Sequence, residues 1–221
     1  MQRLITAVTA ADEGEASAPE RILDVAQELF GEHGFAATST RAIAQAAGVN
    51  LAQLHYYYGS KRDLFKASYL RGAQEITASR ERALAEAGWP ERTMPLEALV
   101  RSFVAPFMLA GKTPHGQAMM RMHARLHAEP GGLCEELLST VFDKTTLAYV
   151  EAFQRALPHV PRRTLYWRIY FMMGAYRYTL LRTGRLEALS LGACDSGDFD
   201  AAVDMIVPFL CAGLAAPANE H

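Results

Sequence analysis

Apolar residues recur three or four positions apart along almost the whole chain, and this helical spacing limits the fold more than any other feature. Near the start, one such stripe comprises Ile22, Val25, Ala26, Leu29 and Phe30. Alternating polar and apolar runs bounded by turn residues, which would indicate strands, are missing from the sequence. The pattern therefore predicts an all-α fold.

Glycines and capping residues divide the first part of the chain into four predicted helices. The first helix ends at Gly34, because glycine suits the left-handed conformation that often follows a helix. Asn50 can cap the third helix, and Ser60 with Asp63 resembles a capping box for the fourth. The second, third and fourth helices are predicted over about 40–47, 51–57 and 61–87.

The segment "GWPERTMP" carries a glycine and two prolines, so we expect a domain boundary there. Further helices are predicted near about 95–110, 116–128, 132–157, 161–184 and 198–214. The expected organisation is a disordered tail (1–17), a small N-terminal domain (18–65), a connecting helix with the boundary (66–90) and a larger C-terminal domain (91–215).

The charge distribution limits how the protein could bind nucleic acid. The 221-residue chain has a formal net charge of −2, so bulk positive charge is excluded as the source of binding. Between Arg41 and Arg71, however, five basic residues accompany a single acid, Asp63, which gives this segment a local charge of +4. Any nucleic-acid contact is expected to come from this patch.

Other features argue against several classes of protein. The three cysteines are odd in number and have no CxxC spacing, so neither a disulfide framework nor a zinc site is indicated. His123 and His127 have an i, i+4 spacing that can bind zinc, but no third ligand is evident, and we expect no metal and no cofactor. No segment approaches the roughly 18 apolar residues of a membrane span. We therefore expect a cytoplasmic protein without a membrane partner.

The second and third predicted helices are short and joined by a turn that contains Gly48. This is the pattern of a helix-turn-helix motif, whose second helix enters the major groove of DNA. Ala44 fits the motif because a small residue lets the two helices cross closely. Two crossing short helices also occur as plain structural corners, so the pattern alone leaves both interpretations open.

A helical wheel separates the three consecutive tyrosines of the third helix. Leu51, Leu54 and Tyr58 share the inward face, with His55 at its margin. Tyr56 and Tyr57 point outward, where their hydroxyls could reach phosphates or where the rings could simply close the edge of the domain.

Further polar residues around these tyrosines are candidate DNA contacts. Gln53 could offer a bidentate contact to adenine, and Lys61 lies at the first turn of a helix, where backbone N–H groups favour a phosphate. Hydroxyl residues at the start of the second helix could contact the backbone phosphates or act only as caps. The smaller candidates for base contact are Asn50 and Ala52, and the hydroxyl residues are Thr38, Ser39 and Thr40.

The stretch "RILDVAQELFGEHGFAATSTRAIAQAAGVNLAQLHYYYGSKRDLF" resembles the N-terminal domain of TetR-family transcriptional regulators. The resemblance covers about residues 18–70 and includes Gly34-Phe35, Ala47-Gly48-Val49 and Tyr58-Gly59-Ser60-Lys61 in the family's order. It implies a homodimeric DNA-binding protein, usually a repressor released by a small ligand, and not an enzyme. His55, Tyr57 and Tyr58 depart from the residues usual in the family, although His55 and Tyr57 keep a polar group able to contact phosphate.

Residues 107–126 and 166–178 are rich in methionine and aromatic side chains, which suit either an adaptable apolar cavity or an ordinary helical core. Arg121, His123, Arg125 and His127 on one predicted helix could meet a carboxylate head group or face solvent. The candidate pocket residues are Phe107, Met108, Met119, Met122, His123, Arg125, Tyr166, Tyr170 and Met173.

The segments "HARLHAEP" and "LAYVEAFQRALPHVPRRTLYWRIYFMMGAYRYTLL" are similar to the effector domain of the TetR branch that includes fatty-acid-responsive regulators. The resemblance implies a small apolar or amphipathic effector, such as a fatty acid or acyl compound. It also favours dimerisation over an intramolecular role for two apolar stripes of the last long helices. These stripes are Leu165, Ile169 and Met172, and then Val203, Ile206, Val207 and Leu210.

Two alternative functions remain at this point. One is an α-helical enzyme that uses His123, His127 or Cys134, but no base, nucleophile and orienting residue occur at a recognisable spacing. The other is a small-molecule binding module whose helix-turn-helix no longer engages DNA. Against it, Tyr56, Lys61 and the threonine cap of the second helix are all present.

Overall fold

The computed structural model describes residues 17–126, 132–181 and 183–217, and within these residues it contains helices and no strand. The prediction of an all-α fold is therefore confirmed. The helices are α1 (Ala18–Ala37), α2 (Thr40–Ala46), α3 (Leu51–Tyr58), α4 (Lys61–Glu86), α5 (Leu96–Leu109), α6 (Pro114–Arg125), α7 (Leu133–Val141), α8 (Asp143–Ala156), α9 (Arg162–Thr179), α10 (Arg185–Leu189) and α11 (Phe199–Ala215), with a short 3-10 helix (Ala110–Lys112) between α5 and α6.

Side-chain caps set the starts of the N-terminal helices. Ser60 and Asp63 form the predicted capping box, and α4 begins at Lys61 as expected. Asn50 caps α3 in the same way. The helix α1 runs to Ala37, but its backbone leaves the helical conformation at Gly34, where φ is 79°. The sequence-predicted helix end is thus a kink followed by a last turn.

Aromatic rings hold the first four helices around one core. Phe30 of α1 packs edge-on against Phe65 of α4, with 4.9 Å between ring centroids, and Phe35 packs on the same ring at 5.4 Å. Ile43 of α2 and Leu54 of α3 are fully buried beside them. Burying these side chains fixes the two short helices on α1 and α4, since each is too short to be stable alone.

The helix α6 joins this N-terminal group to the C-terminal helices. An ion pair links Arg121 of α6 to Glu28 of α1 at 2.5 Å. On the other side, Gly72 of α4 lies against Met119, and a Cβ at this glycine would stand 2.6 Å from the methionine Cγ. Because a side chain at Gly72 would clash, glycine permits this close approach of α4 and α6.

Two predicted helix ranges are wrong. The single helix expected over 132–157 is two helices that break at Phe142, whose buried ring turns inward against His123 with 6.2 Å between ring centroids. The helix expected over 161–184 ends at Thr179, and a short α10 follows Gly184. The break at Phe142 depends on a contact between residues far apart in the chain, which helical periodicity does not report.

The stripes predicted to meet a partner subunit are intramolecular. Leu165, Ile169 and Met172 of α9 and Val203, Val207 and Leu210 of α11 are buried within one chain, and Ile206 is half-buried. This prediction is wrong because α9 and α11 use these faces to pack on the rest of the chain and on each other. Their opposite faces carry exposed apolar residues, namely Trp167, Tyr170 and Phe171 on α9 and Met205 and Phe209 on α11.

Among the described residues, every helix is too short or too polar to cross a lipid bilayer. In the same part of the chain, the three cysteines form no disulfide. His127 lies outside the described residues. The predicted disordered tail at 1–17 also lies outside them, except for Ser17.

Candidate nucleic-acid interface and ligand cavity

Backbone hydrogen bonds and one buried leucine fix the angle between α2 and α3. The N–H of Val49 donates to the carbonyl of Ala44 at 3.0 Å, and Gly48 adopts a positive φ of 66° in the turn. Leu54 is fully buried, and the Tyr58 hydroxyl donates to the carbonyl oxygen of Pro19 at 2.8 Å. The inward face of α3 is thus attached to α1, which leaves its other face at the surface.

The outward face of α3 carries the two tyrosines that the helical wheel placed there. Tyr56 is 84% exposed and Tyr57 is 43% exposed, and their rings meet edge-on at 5.3 Å between centroids. Ala52 and Gln53 are exposed on the same face. Two hydroxyls and an amide therefore stand where a docked nucleic acid would contact α3.

Gln53 and Asn50 are engaged with each other through the cap of α3. Asn50 Oδ1 accepts from the backbone N–H of Gln53 at 2.8 Å, and Gln53 Oε1 accepts from the backbone N–H of Asn50 at 3.1 Å. A bidentate contact to adenine needs both the oxygen and the nitrogen of the glutamine amide. Gln53 would have to release Asn50 to make the predicted contact.

His55 has its tautomer set by a neighbouring carbonyl. Its Nδ1 lies 2.6 Å from the carbonyl oxygen of Gly59, so Nδ1 carries the proton and donates. In the neutral ring, Nε2 is then an acceptor and cannot donate to a phosphate. Only the protonated ring could make the predicted phosphate contact.

The hydroxyl residues before α2 behave differently from one another. Ser39 is exposed and caps α2 by accepting from the N–H of Ala42 at 3.1 Å, and Thr40 begins the helix beside it. Thr38 is only 3% exposed, and its hydroxyl donates to the carbonyl oxygen of Gly34 at 2.8 Å. The predicted phosphate contact of Thr38 is therefore wrong, because its hydroxyl is used inside the protein.

Lys61 begins α4 and lies against the end of α1. Its Nζ donates to the carbonyl oxygen of Ala36 at 3.3 Å and lies 4.5 Å from the centroid of the Phe35 ring. A cation held there stands at the start of α4, where the helix dipole also favours an anion. Lys61 is thus placed, and partly oriented, for contact with a phosphate.

Other cations of the basic patch have acidic partners. Arg62 and Lys66 both bind Glu136 of α7, and these hydrogen bonds lower the pKa of that carboxyl. Arg71 binds Asp24 of α1 at 2.7 Å. The local charge of +4 read from the sequence is therefore partly neutralised by groups that are distant in the chain.

The C-terminal helices form a cavity of about 260 Å³ that is partly open to solvent. It lies between α5, α6, α9 and the segment after α9. Apolar groups and two basic side chains form its wall. The lining residues are Phe107, Met120, His123, Ala124, Gly174, Arg177, Tyr178, Leu180 and Leu181.

The cavity contains only two of the predicted pocket residues, Phe107 and His123. Met119 lines a separate cavity of about 190 Å³ between α4 and α6, and Met173 lines a small space of about 10 Å³ beside Arg80. The other five predicted residues line none of these three spaces. Met108 and Met122 are fully buried core residues, whereas Arg125, Tyr166 and Tyr170 are exposed.

His123 connects the cavity to α4. The Tyr69 hydroxyl lies 2.6 Å from His123 Nδ1, and the Phe107 ring lies 4.8 Å away between centroids. Burial raises the pKa of Tyr69, so the phenol keeps its proton in this hydrogen bond with the imidazole. His123 thus joins the cavity wall to α4 through one short hydrogen bond.

Sequence reasoning missed most of the cavity wall, including Gly174, Arg177, Leu180 and Leu181. One signal was available, since Arg177 is an isolated cation in the apolar run "FMMGAYRYTLL". The leucines could not be identified because they follow the end of α9, and that end was placed several residues too late.

Two family models match the chain. Residues 22–68 match the model described as "Bacterial regulatory proteins, tetR family". Residues 101–213, about half of the chain, match the model described as "Tetracyclin repressor-like, C-terminal domain". Both halves of the molecule thus point to one family.

Individual proteins agree with these models. The transcriptional repressor KstR of Mycolicibacterium smegmatis is 30% identical over 131 residues, which is 51% of this chain and 64% of that protein. Matches to six curated relatives span from 21% to 64% of those proteins' lengths.

Solved structures match over nearly the full length. A TetR-like regulator from Rhodococcus sp. RHA1 has a TM-score of 0.63 and 25% identity, covering 93% of this chain and 100% of that one. The fatty acid degradation regulator FadR from Bacillus halodurans has a TM-score of 0.65 at 17% identity, covering 91% and 98%. At this identity the second match concerns the fold alone.

Proposed function

The chain belongs to the TetR family of DNA-binding transcriptional regulators, and from this premise we propose that it is a homodimeric repressor released from its operator by a small effector. A regulator of this family is not an enzyme. The exposed face of α3, with Tyr56 and Tyr57 beside the capped start of α4, is the observation that carries the proposal. The similarity to a protein named as a repressor, KstR, supports repression over activation.

The proposed DNA contacts surround α3, which acts as the recognition helix. Tyr56, Tyr57 and Lys61 contact phosphates, together with the hydroxyls of Ser39 and Thr40. The candidates for base contact are Asn50, Ala52 and Gln53, and His55 contacts phosphate when it is protonated. Residues 18–65 form the DNA-contacting domain, 66–90 connect it, and 91–215 bind the effector and the partner subunit in the cytoplasm.

The proposed dimer uses the exposed faces of α9 and α11. Trp167 and Phe171 on one helix and Met205 and Phe209 on the other give two adjacent apolar surfaces. Homodimer interfaces are apolar in this way, and a four-helix arrangement would cover both surfaces. Two recognition helices could then enter successive major grooves about 34–36 Å apart on a near-palindromic operator.

Effector binding would act on the recognition helices through α4 and α6. The cavity wall includes His123, which is joined to α4 by Tyr69, and α6 is joined to α1 by the pair of Arg121 and Glu28. A ligand that moves α6 thus changes the position of the DNA-binding helices. Such coupling is typically about 1–3 kcal/mol, or about 5–150-fold in affinity.

The resemblance to the fatty-acid-responsive branch and the apolar wall of the cavity support an apolar or amphipathic effector, in the class of fatty acids and acyl compounds. The test has two stages. Selection of bound fragments from random duplexes at a stated salt concentration should recover a near-palindromic motif. Recovery of no such motif would contradict the proposed DNA recognition. Unchanged affinity for that motif at a saturating concentration of a bound ligand would contradict release.

A further inference from the structure

Arg80 of α4 is a buried cation in the C-terminal half of the molecule. Its side chain is 2% exposed, its Nε donates to the carbonyl oxygen of Phe103 at 2.8 Å, and its guanidinium lies 3.9 Å from the Phe103 ring centroid. Its Nη2 is buried and has no hydrogen-bond partner. Within the described ranges, no ion pair joins Arg80 to a carboxylate.

A charge in this position is costly. Arginine cannot lose its proton in a protein, and arginine is almost never fully buried unless it is paired. The penalty for a buried ion is several kcal/mol, and the ring of Phe103 offsets only part of it. A buried group left unpaired in this way calls for a partner that is not part of the chain.

Arg177 of α9 provides a second cation at the same place. It lines the space of about 10 Å³ beside Arg80, and its Nε is also buried without a hydrogen-bond partner. The charge of Arg177 lowers the pKa of Tyr69, against the larger effect of burial. The positive charge of Arg177 therefore acts on a buried group inside the protein.

The two cations lie at one end of the apolar cavity. Arg177 and Phe107 line both the small space and the cavity of about 260 Å³. The small space and the cavity therefore adjoin each other and share these two wall residues. Neither wall includes an aspartate or glutamate among the described residues. One end of this site thus favours an anion, and the remainder, with Met120, Leu180 and Leu181, favours an apolar body.

We propose that the effector is an amphipathic carboxylate whose head group binds Arg80 and Arg177 and whose apolar body fills the adjoining cavity. This inference rests on the proposed function, because it names the chemical class of the effector. A flat carboxylate matches the planar fork of arginine, and the narrow space favours it over a tetrahedral phosphate. Met173, a flexible side chain that lines this space, can move to admit the head group.

The cavity volume also limits the size of the apolar body. Cavities that hold drug-sized ligands are about 300–1,000 Å³, and this one is slightly smaller. We therefore expect a carboxylate with a short or medium-length body to bind more tightly than a long-chain one.

The test compares carboxylates with neutral molecules of the same shape. Full-length protein is titrated calorimetrically with hexanoate, octanoate, decanoate, dodecanoate and cyclohexanecarboxylate, and with the primary alcohol matched to each. At least one carboxylate should bind at least tenfold more tightly than its alcohol. If none does, the proposed site is wrong.

Variants then test whether the two arginines cause the preference for carboxylates over alcohols. Arg80→Met and Arg177→Met should each weaken carboxylate binding at least tenfold and leave binding of the alcohol unchanged. Arg163→Met, which removes an exposed arginine from α9, is the matched control and should bind as the wild type does. Undiminished carboxylate binding by both Arg80→Met and Arg177→Met would overturn the assignment.

Stability distinguishes a ligand-binding arginine from a structural one. Arg80→Met replaces an unpaired buried charge by an apolar side chain of similar length, so the unliganded variant should be as stable as the wild type or more stable. Should Arg80→Met fail to fold, which itself contradicts that expectation, Arg80→Lys and Arg177→Met still report on the head-group site.

Operator binding is measured separately. A regulator that binds its operator and is released by neutral ligands, with no preference for carboxylates, would disprove the head-group site and leave the proposed function intact. A carboxylate that binds through Arg80 without changing operator affinity would support the site and disprove release by that ligand.

Discussion

At the scale of single residues, the three consecutive tyrosines of α3 show how one sequence run meets different environments. Burial raises the pKa of Tyr58, whose hydroxyl donates to Pro19, whereas Tyr56 and Tyr57 remain at the surface. The helical period separates these positions because successive residues are about 100° apart. Composition alone would have treated them as equivalent.

Lys61 and Gln53 should affect DNA binding in different ways. Lys61→Ala should weaken binding to all duplexes alike and reduce the slope of log affinity against log salt by about 1 per protomer, because a phosphate contact is lost. Gln53→Ala should instead change the preferred base at one operator position. Binding of both variants to an operator and its point mutants, across a salt series, provides the measurement. Equal behaviour of the two variants would contradict these roles.

Thr38 should matter for stability and not for DNA contact. Thr38→Val removes the buried donor to Gly34 and leaves its carbonyl unsatisfied, so the free energy of unfolding should fall by about 1–3 kcal/mol. Thr40→Val, at the less buried start of α2, is the control and should have a smaller effect. Urea unfolding measures both. A Thr38→Val protein of wild-type stability with weakened operator binding would restore the original phosphate role.

At the scale of helices, the sequence was most informative where a local side-chain cap sets the start of a helix. The start of α4 at Lys61 follows from the contact between Ser60 and Asp63, which are three residues apart. The break at Phe142 was missed because it depends on burial against His123, far away in the sequence. The candidate site was predictable to the same extent. The exposed face of one helix could be predicted from its own sequence, but a cavity formed by three helices depends on contacts between distant residues and could not.

Glu136 links the DNA-binding helices to α7, and its removal should strengthen DNA binding. Glu136→Gln frees Lys66 and Arg62 from a bound carboxylate at the start of α4, so operator affinity at low salt should rise on the order of a few-fold. Glu135→Gln removes the same charge one residue away, where no ion pair to α4 is found within the described residues. Similar affinities for the two variants would show that general charge, and not this contact, is responsible.

His115 should make the docking of α6 sensitive to pH. Burial lowers the pKa of His115. The positive charge of Arg71, which donates to His115 Nδ1 at 3.1 Å, lowers this pKa further. The unfolded chain therefore takes up the proton first, and stability should be lost as the pH falls from about 6.5 through the depressed pKa. In urea unfolding between about pH 5 and 7.5, His115→Gln should show a flatter profile. His159→Gln, at an exposed position, is the control and should show the wild-type profile. A wild-type profile for His115→Gln would exclude His115 as the origin of the pH dependence.

At the scale of the whole molecule, the N-terminal and C-terminal helices are joined by packing as well as by the chain. The pair of Arg121 and Glu28 and the close approach at Gly72 fix α6 between α1 and α4. The cavity wall is carried by the same helix, through Met120 and His123. The helix α6 therefore connects the cavity wall to α1 and α4, the two helices on which α3 packs, and the proposed control by a ligand requires such a connection.

Dimerisation should be necessary for operator binding, and one substitution can separate it from folding. Phe209 of α11 is 69% exposed in the single chain, so Phe209→Glu costs little in the monomer but places a charge in the proposed apolar interface. We expect a monomer by analytical ultracentrifugation and the loss of tight binding to a two-half-site operator, because each recognition helix would then bind alone. Leu147→Glu, at an equally apolar and 56% exposed position on α8, should remain dimeric and bind normally. A dimeric Phe209→Glu protein would place the interface on another face of the molecule.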